Sequence, residues 1–183
     1  ALGTPSTPQS PSRLVNLAAR AAVGPGPNAL IPGFVIGPGA QKTVLVRAIG
    51  PALAAATFSV PGTLADPQLT LLGPDSTTRV AASNDNWSPA DAATFSAVGA
   101  FALPAGSRDA ARVARLDPGA YTAQITGAGN STGVALVEVY DADATVSTSS
   151  SRLINTAVRA QVGTGANVLI PGLVVSDGAP KTV

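Results

Sequence analysis

The chain has 183 residues, a formal net charge of +1 and only 11% charged side chains. This balance gives no electrostatic basis for binding nucleic acid or an anionic membrane surface. The sequence contains no His, Cys or Met. Their absence excludes the commonest general base, thiol nucleophiles, disulfides and cysteine-based zinc sites.

Residues 1–11 carry three prolines among serines and threonines. They predict an extended linker or a mature N-terminus, because such a segment cannot pack. Residues 144–150 (ATVSTSS) predict a second linker. Residues 12–143, between the two, predict one complete domain that is long enough to bury a sizeable core. No stretch approaches the roughly 18 apolar residues of a helix that spans a membrane.

Runs of β-forming residues bounded by Gly, Pro, Asn and Asp predict eight strands, near 13–23, 29–36, 43–49, 68–73, 78–83, 110–116, 120–126 and 133–140. One short helix is predicted at 89–98, where Ser88 and the following proline suit an N-cap and a first turn. Short strands at this spacing predict an all-β fold, an antiparallel β-sandwich. Jelly-roll and immunoglobulin-like topologies both remain open.

Alternation of apolar and polar residues is clearest in the last two predicted strands. In the first of them, Tyr121, Ala123 and Ile125 share one face. The strand at 133–140 is apolar on most of both faces. We therefore expect it to be central in the sheet or covered on both sides.

The last 33 residues, 151–183, repeat residues 12–44 at an offset of 139 without a gap, and 21 of the 33 positions are identical. A period of this size predicts tandem domains and not a solenoid of small repeats. A partial unit cannot bury its own apolar strands. Two interpretations remain open: the segment belongs to the next domain of a longer tandem protein, or it pairs with an adjacent molecule by strand addition.

On either interpretation, the second copy of the repeat is the predicted connector between units. We expect its arginines and its apolar strand residues to form the subunit contact; these are Arg152, Leu153, Ile154, Val158, Arg159, Val168, Leu169, Ile170, Leu173, Val174 and Val175.

The segment RLDPGAYTAQITGAGNSTGVALVEVYD resembles the end of β-sandwich modules of the pre-peptidase C-terminal type, found in large secreted bacterial proteins. The order RLVN, NALIPGFVI, KTVLVRAIGP, ADPQLTL and SNDNW is similar to tandem repeats of about 140 residues in very large bacterial surface proteins. The resemblance covers 12–143 and again 151–183. It implies a secreted accessory, adhesive or structural module and brings no catalytic residues.

Two polar clusters offer oxygen ligands that would suit Ca²⁺. The first is Asn84, Asp85 and Asn86, next to Trp87; the alternative is an Asx-rich turn with the tryptophan closing one end of the fold. The second is Asp141 and Asp143, which follow the last strand of the domain. An interdomain cation is the functional hypothesis there, and solvated charge at a strand end is the alternative. No other cofactor or metal is expected.

Three arginines lie in otherwise apolar predicted strands: Arg13, Arg20 and Arg47. A buried arginine needs a carboxylate or carbonyl partner, which suggests an ion pair between units. The alternative is an outward arginine whose aliphatic stem covers apolar surface. The sequence leaves both open.

No GxSxG, P-loop or GxGxxG motif is present, so we do not expect an enzyme. The repeat predicts a structural subunit of an extracellular bacterial filament or surface stalk, whose partners are copies of itself joined head to tail by β-strands. The alternative is an adhesin or carbohydrate-binding module of a secreted protein that binds surface glycans. Several of the seven aromatic residues read as core, which counts against a sugar-binding platform.

Overall fold

The computed structural model describes residues 12–74, 80–143 and 151–176. The predicted linkers at 1–11 and 144–150 lie outside these ranges, as do 75–79 and 177–183. The described chain is an antiparallel all-β protein, which confirms the predicted fold class. Its strands are β1 (Leu14–Val23), β2 (Ile31–Ile36), β3 (Lys42–Ile49), β4 (Pro67–Leu72), β5 (Val80–Asn84), β6 (Ala110–Leu116), β7 (Gly119–Gly127), β8 (Gly133–Asp141), β9 (Leu153–Arg159) and β10 (Ile170–Val175).

In the parts of the chain that the structure describes, the helices are all short. The predicted helix begins as a 3₁₀ turn at Pro89–Asp91 and continues as α1 (Ala92–Ala97). The Ser88 hydroxyl accepts a hydrogen bond from the Ala90 amide at 3.3 Å, as its predicted N-cap role requires. Among the described residues, no helix has the length and apolar character needed to cross a bilayer.

The strands follow the order β5-β4-β7-β2-β9-β1-β8-β3-β6, with β10 also paired to β1. The two ends of this order meet, because the Ala111 amide of β6 donates to the Asn84 side chain of β5 at 2.9 Å. The described strands therefore form one connected, barrel-like sheet, and a division into two packed sheets is not confirmed. Alternation along a strand predicts its faces but not its neighbours.

Two hydrophobic clusters lie on opposite faces of the β1–β8–β3 region. The inner cluster contains Val137 and Val139, and the outer cluster contains Val134 and Tyr140. β8 is thus central and covered on both faces, as its sequence predicts. The outer face is covered by the 52–60 segment and by α1, through Phe95.

Candidate functional site

The second copy of the repeat folds locally as the first copy does. Adding 139 to the bounds of β2 gives those of β10, and adding 139 to the first residue of β1 gives the first residue of β9, although β9 ends at Arg159, three residues before the counterpart of Val23. The connecting turns also match: Gly26 and Gly165 have φ of 57° and 60°, a left-handed conformation that favours glycine. Similar sequence thus gives a similar strand-turn-strand structure in residues 14–36 and in their counterparts 153–175.

The strands of the second copy complete the sheet of the first unit. β9 lies antiparallel along β2 through six residue pairs and ends with Leu153 opposite Ile36. β10 lies antiparallel along β1 through six residue pairs and ends with Val175 opposite Leu14. On their other edges, β1 pairs with β8 and β2 pairs with β7. Within the described residues, each of these two strands therefore has one edge that is covered by the second copy and by no strand of the first.

Only part of the second copy is buried in this arrangement. Leu153 is 3% exposed and belongs to the inner core, and Val158 and Leu169 pack partly buried against it. Ile154 remains 61% exposed, and three apolar residues of β10 are about half exposed: Ile170, Leu173 and Val174. Of the six exposed large hydrophobic residues in the described ranges, five lie in this segment. Such a surface is typical of a segment that lacks part of its packing partners.

The polar members of the predicted contact bind backbone atoms of the first unit. The Arg152 carbonyl accepts a hydrogen bond from the Gly37 amide at 2.8 Å. The Arg159 side chain donates to the Pro27 carbonyl at 3.4 Å. Val168 is half-buried beside the turn. All eleven predicted residues lie in the segment that meets the first unit of the same chain; a contact with a separate chain stays a prediction.

Replacing Leu153 should weaken this contact. We expect Leu153→Ala to lower the free energy of unfolding by about 2–4 kcal/mol, because it opens a cavity in the inner core. The matched control is its neighbour: Ile154→Ala removes a similar side chain from an exposed position and should cost about 0.5 kcal/mol or less. Urea unfolding followed by Trp87 fluorescence measures both. Equal losses for the two variants would contradict this arrangement.

A buried charge cluster lies beside the contact. Lys42 Nζ donates to Asp141 Oδ1 at 2.8 Å and to Asp143 Oδ2 at 2.6 Å, and the side chains of Lys42 and Asp141 are fully buried. Arg13 Nη1 lies 3.6 Å from Asp141 Oδ2. The Arg13 backbone is in turn bound to Ser176 of the second copy in both directions, at 3.1 and 2.8 Å.

Asp143 titrates differently from an ordinary carboxyl group. Burial acts to raise its pKa, but hydrogen bonds from Lys42 and from the Thr43 amide outweigh burial and hold the pKa below the usual value. The two carboxylates thus form an ion pair with an ammonium group and are not solvated charge. Sequence reasoning missed Lys42, although this residue recurs in the second copy as the Lys of KTV.

The predicted calcium ligands do not converge on one point. Asn84 Oδ1 is engaged by the Ala111 amide, while Asp85 and Asn86 are exposed. In the described parts of the chain, no three acidic side chains come together as a metal site. Between Asp141 and Asp143 the positive charge is supplied by a protein ammonium. These contacts favour structural roles for both clusters.

Asp109 also has a structural role, because its carboxylate binds groups of the protein itself. Its buried carboxylate accepts hydrogen bonds from the amides of Gly50 and Ala52 at 2.8 and 3.3 Å, and from the Ser107 hydroxyl at 2.7 Å. Ser107 also accepts the Trp87 indole N–H at 3.1 Å. The Asx-rich turn is therefore tied to the fold through the tryptophan that follows it.

Arg47 forms the second buried ion pair, within the first unit and not between units. Its Nη2 lies 2.7 Å from Glu138 Oε2, and it stacks over the rings of Phe95 and Phe101. The Tyr140 hydroxyl donates to Glu138 Oε1 at 3.0 Å. Burial raises the pKa of Tyr140, and the Glu138 carboxylate raises it further. This cluster is enclosed on the outer face and joins β3 to β8.

Aromatic side chains do not form an exposed platform. Phe58 is the one aromatic residue among the exposed large hydrophobic side chains of the described ranges, and Phe34, Phe95, Tyr121 and Tyr140 are buried. Sugar-binding surfaces ordinarily use exposed rings. The positions of the aromatic side chains therefore favour a function in contacts between repeats over a function in glycan binding.

No protein-family model matches this chain, and no curated protein matches it.

Proposed function

We propose that this chain is a structural unit of an extracellular bacterial filament or surface stalk, in which neighbouring repeats are joined by strands of the repeated segment. The observation that supports this proposal is the pairing of β9 with β2 and of β10 with β1. A segment of a neighbouring repeat would complete the sheet of each unit in the same way. Head-to-tail succession along the chain follows from the tandem order of the copies.

The remaining apolar surface supports the same function. In the first copy, the residues equivalent to Leu173 and Val162 are Phe34 and Val23, which are 2% and 3% exposed. The same positions in the second copy are 50% and 67% exposed. A complete second unit would bury them as the first unit buries its own. The extracellular location rests on the resemblance to surface repeats and on the absence of Cys and Met.

Complementation in trans tests the proposal. Ala157→Pro and Gly172→Pro, combined in the full chain as the tail-proline variant, should release β9 and β10, because proline disrupts strand pairing. A synthetic peptide of residues 151–176 should then bind the variant saturably at 1:1 stoichiometry when the variant is diluted to its monomeric form. The unaltered chain should not bind the peptide, because its own second copy occupies the edges.

A peptide carrying the same two prolines is the matched control and should not bind. Circular dichroism and Trp87 fluorescence establish that the tail-proline variant is folded. If the folded variant is monomeric and still fails to bind the unaltered peptide, the repeated segment is not a connector and the proposed function loses its support.

A further inference from the structure

The two ladders between the copies contain the same residue pairs with the roles exchanged. In one ladder Arg20 lies opposite Ile170, and in the other Ile31 lies opposite Arg159. Ile170 is the counterpart of Ile31 at the offset of 139, and Arg159 is the counterpart of Arg20. All six pairs of one ladder correspond to the six pairs of the other in this way.

The irregularities of the two ladders correspond as well. The register between β1 and β10 skips Val15, and the register between β2 and β9 skips Ile154, the counterpart of Val15. The flanking backbone bonds also match: the Gly37 amide donates to the Arg152 carbonyl at 2.8 Å, and the Ser176 amide donates to the Arg13 carbonyl at 2.8 Å. Exchanging the two copies converts each of these hydrogen bonds into the other.

Two positions pair with their own counterparts. Leu14 lies opposite Leu153, and Ala22 forms a bridge with Gln161; both pairs are separated by the repeat offset of 139. A residue that pairs with its own counterpart lies at a twofold axis, where a surface meets a copy of itself. A head-to-tail contact joins two different surfaces and does not produce such pairs.

The residues that the two copies contribute to the inner hydrophobic cluster correspond in the same way. The second copy contributes four hydrophobic residues to the inner cluster, and their four counterparts in the first copy belong to or pack on that cluster; the pairs are Leu153 and Leu14, Val158 and Ala19, Ala160 and Ala21, and Leu169 and Leu30. Backbone register and side-chain burial are thus both reciprocal.

We propose that two repeats associate as a closed twofold pair, in which each repeat places its own β1 and β2 strands on the β2 and β1 edges of the other. The inference rests on the proposed function and specifies its contact: the partner of segment 14–36 is a second copy of segment 14–36. Because a self-complementary contact closes after two members, this surface joins repeats in pairs. An array of such pairs continues through its linkers or through other surfaces.

The tail-proline variant tests this with two further substitutions, Ala18→Cys and Gly33→Cys. Ala18 lies opposite Gly172, the counterpart of Gly33. In a twofold pair of chains, the thiol at 18 of each chain would therefore face the thiol at 33 of the other. Opposed antiparallel residues have Cα separations within the range of a disulfide, and the chain has no other cysteine.

We expect light scattering to give twice the chain mass of 17.9 kDa. We also expect oxidation to convert most of the protein to a disulfide-linked dimer on non-reducing gels, without higher species. A ladder of trimers and larger polymers would overturn the closed pair while leaving a strand-joined filament intact. A folded monomer that binds the 151–176 peptide would also overturn the closed pair, while leaving the proposed function intact. Failure to bind the peptide as well would overturn the proposed function.

A second measurement decides the case if the tail-proline variant does not fold. In the otherwise unaltered chain, Ala18→Cys/Gly172→Cys and Gly33→Cys/Ala157→Cys are the two pairs related by exchange of the copies. Both should form an intramolecular disulfide to the same extent, within twofold. Ala18→Cys/Val174→Cys, shifted by two residues on the same face, should remain reduced. If only one of the two related pairs forms a disulfide, the reciprocal pairing of the two copies is wrong.

Discussion

Arg47→Leu should lower the free energy of unfolding by about 3–5 kcal/mol, because removing one member of a buried ion pair leaves the other charge without compensation. The Arg47 side chain is fully buried and that of Glu138 is 8% exposed. The substitution also removes the hydrogen bond that Arg47 Nη1 donates to the Phe101 carbonyl at 2.6 Å. Urea denaturation measured by circular dichroism gives the loss directly.

Two further variants separate charge burial from a general effect of losing arginine. Arg108 pairs with Asp66 at 3.0 Å, but its side chain is 68% exposed, so Arg108→Leu should cost less than about 1 kcal/mol. The double variant Arg47→Leu/Glu138→Leu should recover much of the loss, because apolar residues often replace a buried pair without penalty. A double variant as unstable as the single variant would contradict this explanation.

Lys42→Met should have an effect of similar size, about 3–5 kcal/mol, since it leaves the buried Asp141 carboxylate without its close partner. Arg13, at 3.6 Å, is the other cation beside Asp141 in the described structure. Thermal and urea unfolding both report the change. The adjacent Gln41 is exposed and donates to Asp117 at 2.9 Å, so Gln41→Met is the matched control and should change stability by less than about 1 kcal/mol.

The same cluster makes stability depend on pH. The pKa of Asp143 is lowered in the folded chain, so its ionised form stabilises the fold above the unfolded-state pKa. This contribution is lost as the pH falls through the lower, folded-state pKa. The stability difference between the native chain and Lys42→Met should therefore be largest near neutral pH and shrink in acid below about pH 4. A difference that does not change between pH 7 and pH 2 would contradict the role of the ion pairs.

The charge cluster and the repeat contact are physically connected. Lys42 holds Asp141, Asp141 lies beside Arg13, and the Arg13 backbone is hydrogen-bonded to Ser176 of the second copy. Loss of the ammonium is therefore expected to loosen the end of β1 that receives β10. In the proposed array, this cluster would stiffen the junction between units without a bound metal ion.

Local chemistry allowed the sequence alone to predict most elements of this fold. Apolar residues on both faces predicted β8 as a covered central strand, Ser88 predicted the start of the short helix, and turn residues set the strand bounds within a few positions. The repeat itself identified 151–183 as the unusual segment, because an isolated copy has apolar strands without partners. These features depend on residues that are close in sequence, and the backbone geometry of a strand or turn fixes how such residues are placed relative to one another.

The tertiary structure decided which strands meet. Nothing in the sequence shows that β1 and β2 do not pair with each other and that each instead receives a strand of the second copy. Nor does it show that Lys42 and Arg47 find their carboxylates on β8 and just beyond it, about a hundred residues away. Strand pairing and buried charge compensation are long-range, since many registers satisfy the same alternation and only packing selects one. The reciprocal character of the repeat contact belongs to this second group, because it is a relation between two surfaces and not a property of either segment.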